Sequence, residues 1–388
     1  EAKAIMDKAG TPRFSRAEMQ KEWYRMGSEF RFGTSENQSS IAISGLDEQF
    51  APTLQLMMEL VKNPVAEPQT REERKGILLK SREDQKESPQ AISRALYLFN
   101  RYGEESPLLE AMTSEEIRNT TLDELLHLPG ELLGYEHTLA YTGSLPLEEL
   151  VEILRRYHDV GGELREPPPY RYRTARDFDT TEIYIVDKET AQAQVRIEFP
   201  DGTYDEETSL IASIYNNYFG SGMSSVVFQE LREARALAYS AAANYAQGGR
   251  VNEQNLMLGA IGSQNDKTVD AVSAFVDLID NMPESTERFN ESVNSLLNRY
   301  RTSKLSFREV IGAVRTWERL GLSGDPRRAR FEQLQNVTME DLLAFQQEHV
   351  KGRPKLISIV GDTSIIDTDA LARFGSVKEV QVDEIFVD

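Results

Sequence analysis

Apolar and polar side chains take strict turns over 191–199, where Val195, Ile197 and Phe199 alternate with Gln194, Arg196 and Glu198. A period of two is that of a strand with one face buried. A second strand-like run, 182–186, precedes it, and helical spacing follows from about 205 to 219. Further on, Val227, Phe228 and Leu231 fall at helix-core spacing, after which Tyr239, Ala241, Ala243 and Tyr245 alternate with Ser240, Ala242 and Asn244. The pattern thus predicts strand, strand, helix, helix, strand, a mixture that suits an α+β sandwich better than a doubly wound parallel sheet.

The same order of elements occurs twice. Asn119-Thr120-Thr121-Leu122-Asp123-Glu124-Leu125-Leu126 leads to Leu139-Ala140-Tyr141-Thr142-Gly143-Ser144, and Asn336-Val337-Thr338-Met339-Glu340-Asp341-Leu342-Leu343 leads to Ile357-Ser358-Ile359-Val360-Gly361-Asp362, at offsets of 217 and 218. Upstream, Leu60-Val61-Lys62-Asn63-Pro64 matches Leu278-Ile279-Asp280-Asn281-Met282-Pro283, and 42–46 and 258–262 read as matching strand ends. Thr121 with Glu124 and Thr338 with Asp341 stand where side-chain oxygens cap a helix start. The Asn-x-Thr triplets double as glycosylation acceptors, but a cap accounts for both copies. A single long period of this kind marks a duplicated domain.

Between the copies, Gly161-Gly162 and Pro167-Pro168-Pro169 interrupt all periodicity and favour an extended connection. The expected domains are 1–162, a linker at 163–176, and 177–388. The first copy shows no counterpart of the strand pair at 182–199, so it reads as truncated at its N-terminus. At 388 residues, two domains agree with the usual size of a folding unit.

Composition narrows the chemistry. A net charge of -20, from 64 acidic and 44 basic residues, opposes general nucleic-acid binding. The basic clusters Arg171, Arg173, Arg176 and Arg327, Arg328, Arg330 read as a linker and a solvated helix end. With no cysteine there is neither disulfide, thiolate nucleophile nor cysteine metal site. No apolar run reaches the length of a membrane-spanning helix. The four histidines, His127, His137, His158 and His349, lack metal-binding spacing, and no Gly-x-Ser-x-Gly elbow is present.

The most distinctive stretch is Phe219-Gly220-Ser221-Gly222-Met223-Ser224-Ser225 leading into Val226-Val227-Phe228-Gln229-Glu230-Leu231-Arg232-Glu233. Glycines before a helix can cradle phosphate, but a dinucleotide fingerprint needs a preceding strand, and here a helix comes first. Arg232 and Tyr239 are seven residues apart, a separation that leaves helical side chains only about twenty degrees out of line. Both are expected to face one cleft.

This stretch resembles the signature of the C-terminal domain in pitrilysin/insulinase-type (inverted zincin) peptidases. The resemblance covers nearly the whole chain, and it implies a pitrilysin-like fold of two homologous α+β domains, each a mostly antiparallel sheet packed with helices. It also implies that Arg232 and Tyr239 reach the peptide substrate. In the first copy, Gly10-Thr11-Pro12-Arg13-Phe14-Ser15 with Met26-Gly27-Ser28-Glu29-Phe30 carries the likeness. It places the family's His-x-x-Glu-His motif on Glu1, Ala4 and Ile5, and the third metal ligand near Lys80 and Ser81. Lys21 and Ser28 stand opposite Arg232 and Tyr239.

The resemblance therefore implies the C-terminal half of a zinc metalloendopeptidase, with no catalytic residue and no zinc site of its own, that encloses a peptide for hydrolysis at zinc in a missing N-terminal half. The alternative is a catalytically inactive subunit that partners or scaffolds a zinc-bearing one. The implied partners are that catalytic half or subunit and unfolded peptide, not nucleic acid. A bacterial periplasmic or envelope setting rests on the resemblance alone.

Overall fold

The computed structural model describes residues 1–220 and 222–388. It divides into two compact units, one of residues 1–82 and 112–171, the other of 83–111 and 172–388. The second unit thus takes in an excursion from the first half of the chain. No helix is long and apolar enough to cross a membrane among the described residues.

The second unit is built on a six-stranded sheet. Its strands are β3 (Glu182–Asp187), β4 (Ala193–Thr203), β5 (Ser240–Ala246), β6 (Gln254–Ser263), β7 (Leu356–Gly361) and β8 (Ser376–Glu379), numbered after the hairpin strands β1 (Glu29–Ser35) and β2 (Gln38–Ser44) of the first unit. The order is β5-β6-β4-β7-β3-β8. The pairs β5/β6, β6/β4 and β4/β7 are antiparallel, while β3 runs parallel to β7 and β8. Helix Thr268–Asp280 buries Val272, Phe275 and Ile279 in the same core as Val195, Ile197 and Phe199 of β4.

The expected polar face of β4 is not solvated. Residues 83–111 contribute helix Pro89–Tyr102, whose Ile92 and Leu96 are fully buried in a cluster with Val186 and Val360, so the sheet is covered on this side too. Glu198, expected outward, is buried and meets the Arg101 guanidinium at 2.6 Å. Burial pushes the Glu198 carboxyl up, and the positive charge of Arg101 opposes that shift. A central strand covered on both faces loses its one-sided alternation.

The duplication is visible in the fold. Both expected helix caps form, Thr121 with Glu124 and Thr338 with Asp341, and each is a full capping box. Helix Phe50–Lys62 and helix Thr268–Asp280 are each 13 residues long, and β1 and β5 are each seven. A further match is a latch. Asn265, just after β6, accepts from the Asp362 N–H at 3.1 Å, and Asp47, just after β2, accepts from the Ser144 N–H at 3.0 Å. Residues 47 and 144 stand 218 positions before 265 and 362.

The stretches aligned by the repeat do not all fold alike. Ile357–Gly361 is buried in β7 between β3 and β4, whereas residues 139–143 form no strand and Leu139 is 51% exposed. The first unit's sheet contains only β1 and β2. A strand exists only where a neighbour accepts its backbone hydrogen bonds, and 139–143 has no such neighbour in the ladder.

Candidate substrate-binding corner

The glycine-rich turn owes its composition to packing. A Cβ on Gly220 would lie 2.0 Å from the Ala243 carbonyl oxygen on β5, and Gly222 has φ +91°, a value that favours glycine. Ser221, part of that motif, lies outside the described residues. The amide of Phe228 donates to Ser225 Oγ at 3.4 Å, and Ser225 Oγ donates to the Gly222 carbonyl at 2.8 Å. The turn therefore caps the helix with its own side chain.

Beyond the turn, residues Phe228–Ala234 form a π-helix. The seven-residue alignment expected from α-helical spacing does not apply to it, since a π-helix turns less per residue. Leu231 is fully buried, and Arg232 beside it is turned outward with its side chain 48% exposed. The guanidinium lies over the Phe228 ring at 4.9 Å and meets Glu233 only at 3.7 Å. A cation over an aromatic face is held by the ring quadrupole, which fixes its position without using up its N–H donors.

The corner after this helix is tight. Ala236 has φ +49°, the one positive-φ residue other than glycine among the described residues. The Leu237 N–H reaches back to the Leu231 carbonyl at 3.0 Å, which closes the helix end around a left-handed residue in the manner of a Schellman cap. A side chain in that conformation costs about 1–2 kcal/mol. Ala236→Gly is therefore expected to stabilise the protein by about 0.5–1 kcal/mol after the extra chain entropy of glycine is counted. Denaturant unfolding measures this, and a loss of stability would show that the corner is not strained.

A bulge then sets Tyr239. Ser240 is the register partner of Gly262, yet the Tyr239 N–H also donates to the Gly262 carbonyl, at 2.8 Å, so two residues face one on β6. A bulge of this kind re-aims a side chain. Tyr239 consequently leaves the inward set of Ala243 and Tyr245 to which its sequence parity assigned it, and it is 54% exposed. Gln264 Nε2 donates to its hydroxyl at 3.2 Å. Gln264 and the Gly262 carbonyl had no signal in the sequence, because their roles arise from the β5/β6 register.

His349, which lacks metal-binding spacing in the sequence, belongs to a polar knot. Asp201, whose side chain is 6% exposed, accepts from the Tyr245 hydroxyl at 2.5 Å, from Arg353 Nη2 at 3.1 Å, and is 2.7 Å from His349 Nδ1. Burial, then the Asp201 carboxylate, push the Tyr245 phenol far up, so Tyr245 remains a neutral donor. The knot ties the end of β4 to β5 and to the π-helix Gln346–Val350.

In the first copy, Ser28, at the position matching Tyr239, is buried against Thr53 Oγ1 at 2.7 Å, and Lys21, matching Arg232, is exposed. The residues aligned with a metal motif do not suit zinc, which takes three protein ligands in a catalytic site. Ile5 is fully buried in an apolar cluster, Ala4 offers no donor, and Glu1 pairs with Arg74 at 3.3 Å. His137 and His158 approach at 2.8 Å between Nε2 atoms with ring centroids 5.1 Å apart. The rings are thus end to end along a straight N–H···N bond, rather than converging on an ion. No group of three or more His, Cys, Asp or Glu is placed to hold a metal among the described residues.

The family model described as "Peptidase M16 inactive domain" matches residues 137–296, a span that includes the glycine turn, Arg232 and Tyr239. That part of the chain is similar to an M16 peptidase inactive domain. It is 22% identical to an uncharacterized zinc protease of Streptomyces coelicolor over 363 residues, covering 87% of this chain and 74% of that protein. Its fold is shared with the M16 inactive domain from Pseudomonas fluorescens, at a TM-score of 0.73 and 16% identity over 93% of this chain and 87% of that one. The ferredoxin protease FusC, solved in complex with Arabidopsis ferredoxin, gives a TM-score of 0.74 at 14% identity over 93% of this chain but 40% of its own. The likeness to the C-terminal half of a pitrilysin-type zinc peptidase read from the sequence stands on these matches, as does the α+β fold. The basic clusters are neutralised locally: Arg176 by Glu182 at 2.5 Å, Arg330 by Glu206 at 2.6 Å and Arg327 by Asp325 at 2.5 Å.

Proposed function

We propose that this chain is the non-catalytic half of a zinc metalloendopeptidase, and that it holds an unfolded peptide for cleavage at zinc carried by another half or by a partner subunit. Arg232 and Tyr239 are the groups that touch the peptide. The observation that carries this reading is the corner between them: Arg232 stands on the exposed side of the helix that ends before the left-handed Ala236, and the bulge after that residue turns Tyr239 out of the buried face of β5. Local strain of this kind tends to cluster at sites that bind or react. Accepting a hydrogen bond from Gln264 leaves the Tyr239 hydroxyl proton to be donated, and the guanidinium offers further donors. Both suit a peptide carbonyl oxygen.

The 40% coverage of FusC supports a half-molecule, since that protein is long enough to contain a second pair of domains. The higher coverage of the Streptomyces and Pseudomonas proteins favours a second reading, a separately encoded inactive subunit that pairs with a zinc-bearing one. The domain limits 1–162 and 177–388, joined by 163–176, remain part of the proposal.

The test is peptide binding by the assembled protein. Arg232→Ala is expected to weaken the affinity for an unstructured peptide by about tenfold to a hundredfold, the worth of a hydrogen bond from a charged donor. Fluorescence anisotropy with a labelled peptide reads this, and an unchanged affinity would remove Arg232 from the site.

A further inference from the structure

Helix Pro89–Tyr102 covers one face of the six-stranded sheet, where its Ile92 and Leu96 share a buried cluster with Val186 of β3 and Val360 of β7 and its Arg101 closes over Glu198 of β4. On that same face β5 stands clear of the cover. The register sets Ser240 beside Gly262 and Gln194, and, two residues on, Ala242 beside Ala260 and Arg196. Ser240 and Ala242 are exposed, while Ala260 and Arg196 are half-buried. With glycine and alanine as its neighbours, Arg196 has open space beside it.

Arg196 is also a cation with nothing to neutralise it. The Arg101 charge is spent on Glu198, which it meets through two bonds, whereas among the described residues the Arg196 guanidinium makes no hydrogen bond and no ion pair. It lies over the Tyr97 ring at 5.7 Å, the ring that also meets Arg101 at 5.5 Å. Stacking on an aromatic face holds a guanidinium in place and leaves its planar fork of donors available, a fork whose geometry matches a carboxylate.

The corner described above opens onto the same face. The bulge sets Tyr239 with Ser240 against Gly262, and Arg196 lies two strands across and two residues along from that row. From strand spacing and rise the separation is about 12 Å, which an extended peptide covers in about three or four residues. We propose that Arg196 binds a carboxylate of the peptide held by Arg232 and Tyr239, an inference that rests on the function proposed for those two residues. In a chain of net charge -20 the overall field repels an acidic peptide, so a preference for one has to come from a local cation such as this.

Fluorescence anisotropy with three unstructured, otherwise uncharged peptides tests this in the same assembled protein: one with a single glutamate and an amidated C-terminus, one with glutamine in its place, and one with that glutamine and a free C-terminal carboxylate. The glutamate peptide or the free acid is expected to bind about tenfold more tightly than the glutamine amide, the worth of a charge-assisted hydrogen bond. Whichever gains identifies the source of the carboxylate. Arg196→Gln should abolish the gain and leave the glutamine amide bound as before, which also shows that the variant folds. Equal binding of the three peptides overturns the proposal, and so does a loss of affinity for all three alike in Arg196→Gln. Arg232→Ala separates this from the function beneath it: equal weakening of all three peptides upholds that function even where Arg196 shows no preference, and failure of every peptide to bind overturns both.

Discussion

Arg101→Met is expected to destabilise the second unit by about 3–5 kcal/mol, the cost of leaving a buried charge without its partner. Arg101 projects from helix Pro89–Tyr102 and meets Glu198 through two bonds, Nη2 to Oε1 at 2.6 Å and Nε to Oε2 at 3.0 Å, with the two side chains 9% and 6% exposed. Burial works against the Arg101 charge, and the Glu198 carboxylate outweighs it, so the guanidinium stays protonated. Glu198 is already pushed up by burial, and removing Arg101 removes what opposes that shift.

The pH dependence follows with a definite sign. In the variant, the folded-state pKa of Glu198 lies above its unfolded value, so the folded protein keeps a proton that the unfolded chain has released. Stability then falls as pH rises between those two values, and the penalty shrinks as pH is lowered toward the ordinary glutamate range. Arg101→Met with Glu198→Leu should recover most of the loss, since an apolar pair of similar volume replaces a buried ion pair with little cost. Urea unfolding of the two variants measures this. A loss below about 1 kcal/mol in the single variant, or no recovery in the double, would show that the pair is not desolvated.

In the zinc peptidase proposed above, joined to its catalytic half, Tyr239→Phe is expected to lower turnover by two to three powers of ten, the usual effect of deleting one donor to a developing oxyanion. The folded state should hardly notice. Tyr239 is more than half exposed and its hydroxyl bonds only to Gln264 among the described residues, so the change costs at most about 1 kcal/mol of stability. Zinc content should also stay normal, because Tyr239 is proposed to meet the peptide rather than the metal. Turnover, melting temperature and bound zinc together separate the proposed role from a structural one. Unchanged turnover removes Tyr239 from the reaction, and a fall in turnover matched by lost stability or lost zinc does the same.

Much of this protein is written in short-range sequence. The capping boxes at Thr121 and Thr338 form because a hydroxyl and a carboxylate three residues apart satisfy free amides wherever a helix begins, whatever surrounds it. The repeat survives for a related reason: equal helices and equal strands need only local periodicity. Arg232 and Tyr239 could be singled out by motif, and the sequence placed them on either side of a helix-to-strand corner.

How they come to point outward was not legible. The helix is π rather than α, the exposure of Tyr239 depends on a bulge against Gly262, and the corner turns on a left-handed Ala236, a residue type that gives no warning of positive φ. Glu198 was placed on a solvated face because alternation cannot show that residues 83–111 return to cover it. Residues 139–143 match a buried strand in sequence and yet form none, since pairing requires a neighbour that similarity does not supply. The chain by itself determined where the capped helices begin and that the order of elements recurs, because those depend on contacts a few residues apart. The tertiary structure decided which faces are covered, which strands find partners and where Arg232 and Tyr239 are aimed, because those depend on groups hundreds of residues away.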